Sequence, residues 1–70
     1  MKGTRMFKLV DKRYKVDGRL LAQAREKKNM NMSEFAYACD WSPQYQWQLE
    51  NGRVESICEA TMHVIEDVLK

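Results

Sequence analysis

The chain is poor in the residues that most chemistry needs. It holds one histidine, two cysteines, one proline and three glycines in 70 residues. No run of 18 apolar residues occurs, and the N-terminus lacks the apolar stretch of a signal peptide. A cytoplasmic protein with no membrane partner is therefore expected. Cys39 and Cys58 allow at most one bridge, a weak framework for a secreted domain, so free thiols in a reducing compartment fit better. A zinc site would need both thiols, His63 and a carboxylate at unpatterned spacings. No metal and no cofactor is expected, and His63 reads as a partly exposed helix residue. There is no nucleophile–base pair and no glycine-rich phosphate loop, so the chain reads as a non-enzyme with no evident small-molecule substrate.

What is present is ordinary in amount and uneven in place. Hydrophobic residues make up 44% and charged residues 31%, which fits one small folded domain rather than a disordered segment. A core of this size leaves little margin, so help from a second subunit is plausible. The net charge of +2 conceals an asymmetry: residues 1–28 carry +7 and residues 29–70 carry −5. A basic arm on a small domain points to a polyanionic partner.

Residues 5–16, "RMFKLVDKRYKV", alternate β-favouring residues: Phe7 and Leu9, then Tyr14 and Val16. They predict a strand, or a strand pair bent near Asp11 and Lys12, although that turn has neither Gly nor Asn. A helix follows from Asp17 or Gly18 to about Lys28, stopped by Asn29, with Leu20, Leu21 and Ala24 on its apolar side. Asn31 and Glu34 form a capping box, and Met30 with Phe35 a hydrophobic staple, at the start of a short second helix from about Met32 to Cys39. After a turn at Asp40 to Ser42, Ser42 as cap and Pro43 as first helical residue open a third helix, running to Glu50 and ended by Gly52. A fourth is expected from about Ser56 to Leu69, capped by Ser56 with Glu59 or starting at Cys58. Ile57, Thr61, Ile65, Val68 and Leu69 would be its apolar side.

Two short helices joined by a tight turn, the second carrying amide side chains, are the outline of a DNA-binding helix-turn-helix. Over about residues 16–69 the chain resembles the phage-repressor and Cro type of helix-turn-helix domain. The anchors are "LLAQAREKKNMNMSEFAYACDWS", then "QLENG" and a closing amphipathic helix. The fold the resemblance implies is mainly α: a small four-helix, lambda-repressor-like domain with an N-terminal β-strand or β-hairpin arm. One domain spans 1–70, with the basic arm at 1–16, the helix-turn-helix domain at 17–70 and its core at about 32–50. Ala36 falls where the family packs a small residue between the two helices, and Cys39, Trp41 and Leu49 at its buried apolar positions.

The resemblance also implies roles. Ser42, Gln44, Tyr45 and Gln48 match positions that approach bases or flanking phosphates in the major groove. Glutamine can donate to and accept from adenine at once, and Gln44 and Gln48 stand four residues apart on one helical face. Phosphate contacts are expected from Asn31, Ser33, Asn51 and Arg53, and from the arm's Lys8, Lys12, Arg13 and Lys15. Arg25 and Glu50 match a family pair, which implies a largely buried ion pair. A homodimer would let two copies read two half-sites, with the arm either pairing with the same arm of the second subunit or covering the core.

The chain departs from the family pattern at several positions. Asp40 stands where Gly is usual, and Met32 replaces a polar residue that often touches phosphate. Gln46 stands where Ile or Val is usually buried, and Trp47 where a small polar residue is usual. Trp41, Tyr45 and Leu49, at i, i+4 and i+8, could form the buried stripe instead. That arrangement puts Gln46 at the rim and exposes Trp47 to DNA or to a protein. The expected function is sequence-specific binding of double-stranded DNA by a transcriptional regulator of the repressor kind. The alternative is a protein-interaction module on the same fold, using Trp47, Tyr45 and the arm.

Overall fold

The computed structural model describes residues 5–70; the first four residues of the expected arm lie outside the described residues. The order of elements is β1 (Phe7–Val10), β2 (Arg13–Val16), α1 (Gly18–Lys27), α2 (Met32–Ala38), α3 (Pro43–Glu50) and α4 (Glu59–Leu69). β1 and β2 form an antiparallel hairpin in the register Phe7 to Val16, Lys8 to Lys15, Leu9 to Tyr14 and Val10 to Arg13. Asp11 enters its two-residue loop at φ 59°, the left-handed region that aspartate tolerates better than most side chains.

Because successive side chains alternate between faces, Phe7, Leu9, Tyr14 and Val16 share one side of the hairpin. Phe7, Tyr14 and Val16 pack on the core, while Leu9 overhangs it. Lys8, Val10, Arg13 and Lys15 share the solvent side. The arm therefore covers the core, one of the two arrangements open to it from sequence. Tyr14 exchanges two backbone hydrogen bonds with Ile57, each 2.8 Å, and Asp17 N–H donates to Met6 O at 2.7 Å.

Local signals start three of the helices. The Asp17 carboxylate accepts from Leu20 N–H, Asn31 and Glu34 form the full capping box, and Ser42 Oγ accepts from Tyr45 N–H just before Pro43. α1, α2 and α3 also end alike. Asn29, Asp40 and Gly52 take φ of 58°, 67° and 72°, and the next residue donates its N–H back to the helix: Met30 to Arg25 O, Trp41 to Ala36 O, Arg53 to Gln48 O. This is the Schellman pattern of a left-handed residue that turns the chain and satisfies a terminal carbonyl. In α2 to α3 it yields a turn of four residues, with Asp40 doing what glycine does elsewhere.

α4 takes the later of the two expected starts. Cys58 is its N-cap and Ser56 caps nothing. The Ser56 hydroxyl instead accepts from Arg13 Nε at 2.7 Å, and Ile57 is held as a bridge partner of Tyr14. Long-range pairing to the hairpin thus displaced a local cap worth only about 1 kcal/mol. On α4 the buried residues are Met62 and Ile65, while Thr61 is half-buried. The core as a whole joins Leu21, Phe35, Cys39, Leu49, Ile57, Met62 and Ile65. Among the described residues no helix is long and apolar enough to cross a membrane.

Candidate nucleic-acid interface

α3 turns one face outward and one inward. Gln44 and Asn51 are exposed, Trp47 is 43% exposed and Gln48 is half-buried; at i, i+3, i+4 and i+7 they line a single strip. The expected Trp41–Tyr45–Leu49 stripe does pack on the core. Leu49 is buried, and Trp41 and Tyr45 are half-buried against it, edge to face with ring centroids 5.2 Å apart.

The residue that goes fully inside is Gln46, expected at the rim and found at 0% exposure. Its burial is possible because both ends of the amide are satisfied. Gln46 Oε1 accepts from Trp41 Nε1–H at 2.9 Å, and Gln46 Nε2 donates to Glu50 Oε2 at 2.7 Å. The indole N–H can only donate and the carboxylate can only accept, so the two partners also fix which way the amide faces.

Glu50 links this amide to α1. Arg25 Nε donates to Glu50 Oε2 at 2.8 Å and Arg25 Nη2 to Glu50 Oε1 at 3.1 Å, a fork-to-fork pair with side chains 11% and 5% exposed. Arg25 Nη1 donates to Met30 O at 2.8 Å. The carboxylate raises the Arg25 pKa, hydrogen bonding outweighing the cost of burial. One unbroken polar chain therefore runs from the α2–α3 turn through α3 to the end of α1. No buried side-chain polar atom among the described residues lacks a partner.

The remaining sequence-derived positions lie around the strip. Ser33 and Asn31 are exposed at the start of α2, and the Asn31 carbonyl oxygen is committed to Glu34 N–H. Ser42 Oγ is committed as acceptor to the α3 cap but keeps its O–H to donate. The Asn51 amide donates to Trp47 O at 2.8 Å, so it closes the helix rather than reaching out. The Arg53 guanidinium carbon lies 5.9 Å from the centroid of the Trp47 ring, within range of a cation–π contact.

The hairpin is docked against the segment before α4 by Arg13, which also donates Nη2 to Ser56 O at 3.0 Å. Burial pushes the Tyr45 hydroxyl pKa up; Cys58 adds to the rise and the Arg13 charge offsets part of it. Lys8, Lys12 and Lys15 are exposed on the same hairpin. α3 itself, "PQYQWQLE", has no cation.

The two thiols differ sharply. Burial holds the Cys39 pKa at about 11, whereas exposed Cys58 is lowered, first by its hydrogen bond with Thr61. Alkylation at neutral pH is expected to label Cys58 and spare Cys39 until denaturant is added, read by mass spectrometry of digested protein. Cys39 also makes stability fall as pH rises from about 9 toward 11, because the unfolded chain loses that proton first.

Sequence reasoning put Gln46 at the rim, gave Ser56 as a helix cap and Gly18 only as a helix start. A signal for Gln46 existed: an amide four residues before a carboxylate is a known helical pair. Comparison with protein-family models, curated proteins and solved structures gave no match to this chain.

Proposed function

We propose that the chain is a helix-turn-helix protein that binds double-stranded DNA sequence-specifically, with α3 in the major groove, and acts as a transcriptional regulator of the repressor kind. One observation carries the reading. The amides of Gln44 and Gln48 and the ring of Trp47 form a single outward strip on a helix whose other side is locked to α1. Such a strip has a definite base preference. Guanine is read mostly by Arg or Lys, and α3 has neither, while glutamine pairs with adenine and apolar groups meet the thymine methyl. The preferred half-site is therefore rich in A·T pairs.

The phosphates fall to other elements. Lys8, Lys12 and Lys15 stand exposed on the hairpin, which Arg13 ties to Ser56 ahead of α4, and they supply the positive charge that residues 29–70, net acidic, lack. Ser33, Ser42 and the side-chain NH2 of Asn31 supply further donors, and Arg53 a cation at the far end of α3. Two copies on a twofold axis would read two half-sites.

Selection of bound sites from a randomised duplex pool tests the reading. An A·T-rich, twofold-symmetric site is expected, with binding that weakens steeply as salt rises. Gln44→Ala and Gln48→Ala are each expected to lower discrimination about five- to a hundredfold while leaving non-specific binding nearly unchanged. Replacing thymine by uracil at the selected positions should weaken the native chain and not Trp47→Ala. Leu9 at 60% exposure and Val10 at 42% favour a second reading, a protein-binding module. Absence of salt-dependent duplex binding at low ionic strength would decide for it.

A further inference from the structure

We propose that Gln46 is a positioning residue that sets the rotation of α3 about its own axis, and so decides which side chains meet the bases. The role rests on the DNA-binding reading above. Gln46 is a polar residue at 0% exposure, and it touches no solvent. It sits between a donor fixed on one side and an acceptor fixed on the other. Trp41 is pinned through its backbone to Ala36 O of α2, and Glu50 through two bonds to Arg25 of α1.

A buried apolar side chain at this place would hold α3 by volume alone, which tolerates small rotations. An amide between two directional partners does not, because hydrogen bonds weaken steeply with angle and distance. A turn of about 20° swings a side-chain tip at the helix surface by roughly 2 Å. That displacement is enough to part a glutamine from the paired atoms of adenine, whose bonds span about 3 Å. Phosphate contacts made by lysines on the hairpin lie on another element and are untouched by it. Gln46 therefore acts on specificity through Gln44 and Gln48, without touching DNA.

The test compares the native chain with Gln46→Met, which keeps the length and removes both hydrogen bonds. Binding to the selected duplex and to random duplex is measured at a temperature where circular dichroism shows each protein folded. The ratio of the two affinities is expected to fall about tenfold, the loss of one good bidentate contact. Random-duplex binding should stay within about twofold, since the phosphate contacts remain. Gln44→Ala in the Gln46→Met background should then cost less than in the native chain, because the contact it removes is already impaired. A purely structural role would lower the melting temperature and leave both the ratio and the additivity intact, and that result overturns the proposal. Should Gln46→Met fail to fold, Trp41→Phe removes the donor to Gln46 Oε1 while keeping an aromatic ring beside Tyr45, and an unchanged ratio in that variant overturns the proposal equally. A native chain with no preference for any duplex overturns the underlying DNA reading instead.

Discussion

Replacing Glu50 by alanine is expected to lower the melting temperature by roughly 15 °C or more and to leave much of the protein unfolded at 37 °C. The carboxylate is 5% exposed and accepts three hydrogen bonds, two from Arg25 and one from Gln46. Its removal strands a guanidinium that is itself only 11% exposed and orphans the Gln46 amide N–H as well. Breaking one side of a buried pair costs about 3–5 kcal/mol. A chain of 70 residues has roughly 4–10 kcal/mol in total, so that loss is a large share of the whole. Glu50→Gln keeps an acceptor of the same shape and should cost less. Urea unfolding of both variants checks the ranking, and a midpoint for Glu50→Ala close to the native one would refute it. Exchanging Arg25 and Glu50 together for apolar residues does not make a clean control, because Gln46 would lose its acceptor. The apolar replacement has to include Gln46.

Gly18→Ala is expected to destabilise, against the usual sign for such a change at the start of a helix. Alanine ordinarily stabilises by about 0.4–1 kcal/mol through the unfolded chain. Here a Cβ on Gly18 would stand 2.8 Å from Leu49 O and 2.6 Å from the carbonyl carbon of Glu50. These are backbone atoms at the end of α3 and cannot swing aside, so α1 and α3 must separate. Overpacking of this kind costs about 1–3 kcal/mol. The same separation stretches Arg25 from Glu50, so the loss should lie at the upper end of that range. Gly52→Ala is the comparison: nothing stands within 4 Å of its Cβ, and the penalty comes only from φ of 72°, about 1–2 kcal/mol. Chemical denaturation should therefore rank the two, with Gly18→Ala the more damaging. A stabilised Gly18→Ala would mean that α1 does not approach α3 so closely.

Features that depend on a few neighbouring residues were legible in the sequence. Asp17, the Asn31–Glu34 box and the Ser42-Pro43 start were readable because a cap joins groups within about four residues. The left-handed residues Asn29 and Gly52 announced helix ends for the same reason. The hairpin was half legible: its alternation showed, but Asp11-Lys12 is an unusual loop. The Arg25–Glu50 geometry was reached through a resemblance in motif order, since 25 residues separate the partners.

Gln46 was misplaced at the rim, and the choice between two starts of α4 stayed open, because packing decides both. A glutamine flanked by aromatics reads as rim or surface, although its partners Trp41 and Glu50 stand only five and four residues away. Ser56 reads as a cap until Arg13, 43 residues earlier, claims its hydroxyl. The sequence by itself determined which segments are helical, where they begin and end, and that one helix carries three glutamines. Only the tertiary structure decided that Gln46 goes fully inside rather than to the rim. Its two partners are near in sequence, but Glu50 is held inside by Arg25 of another helix, and that is a property of packing.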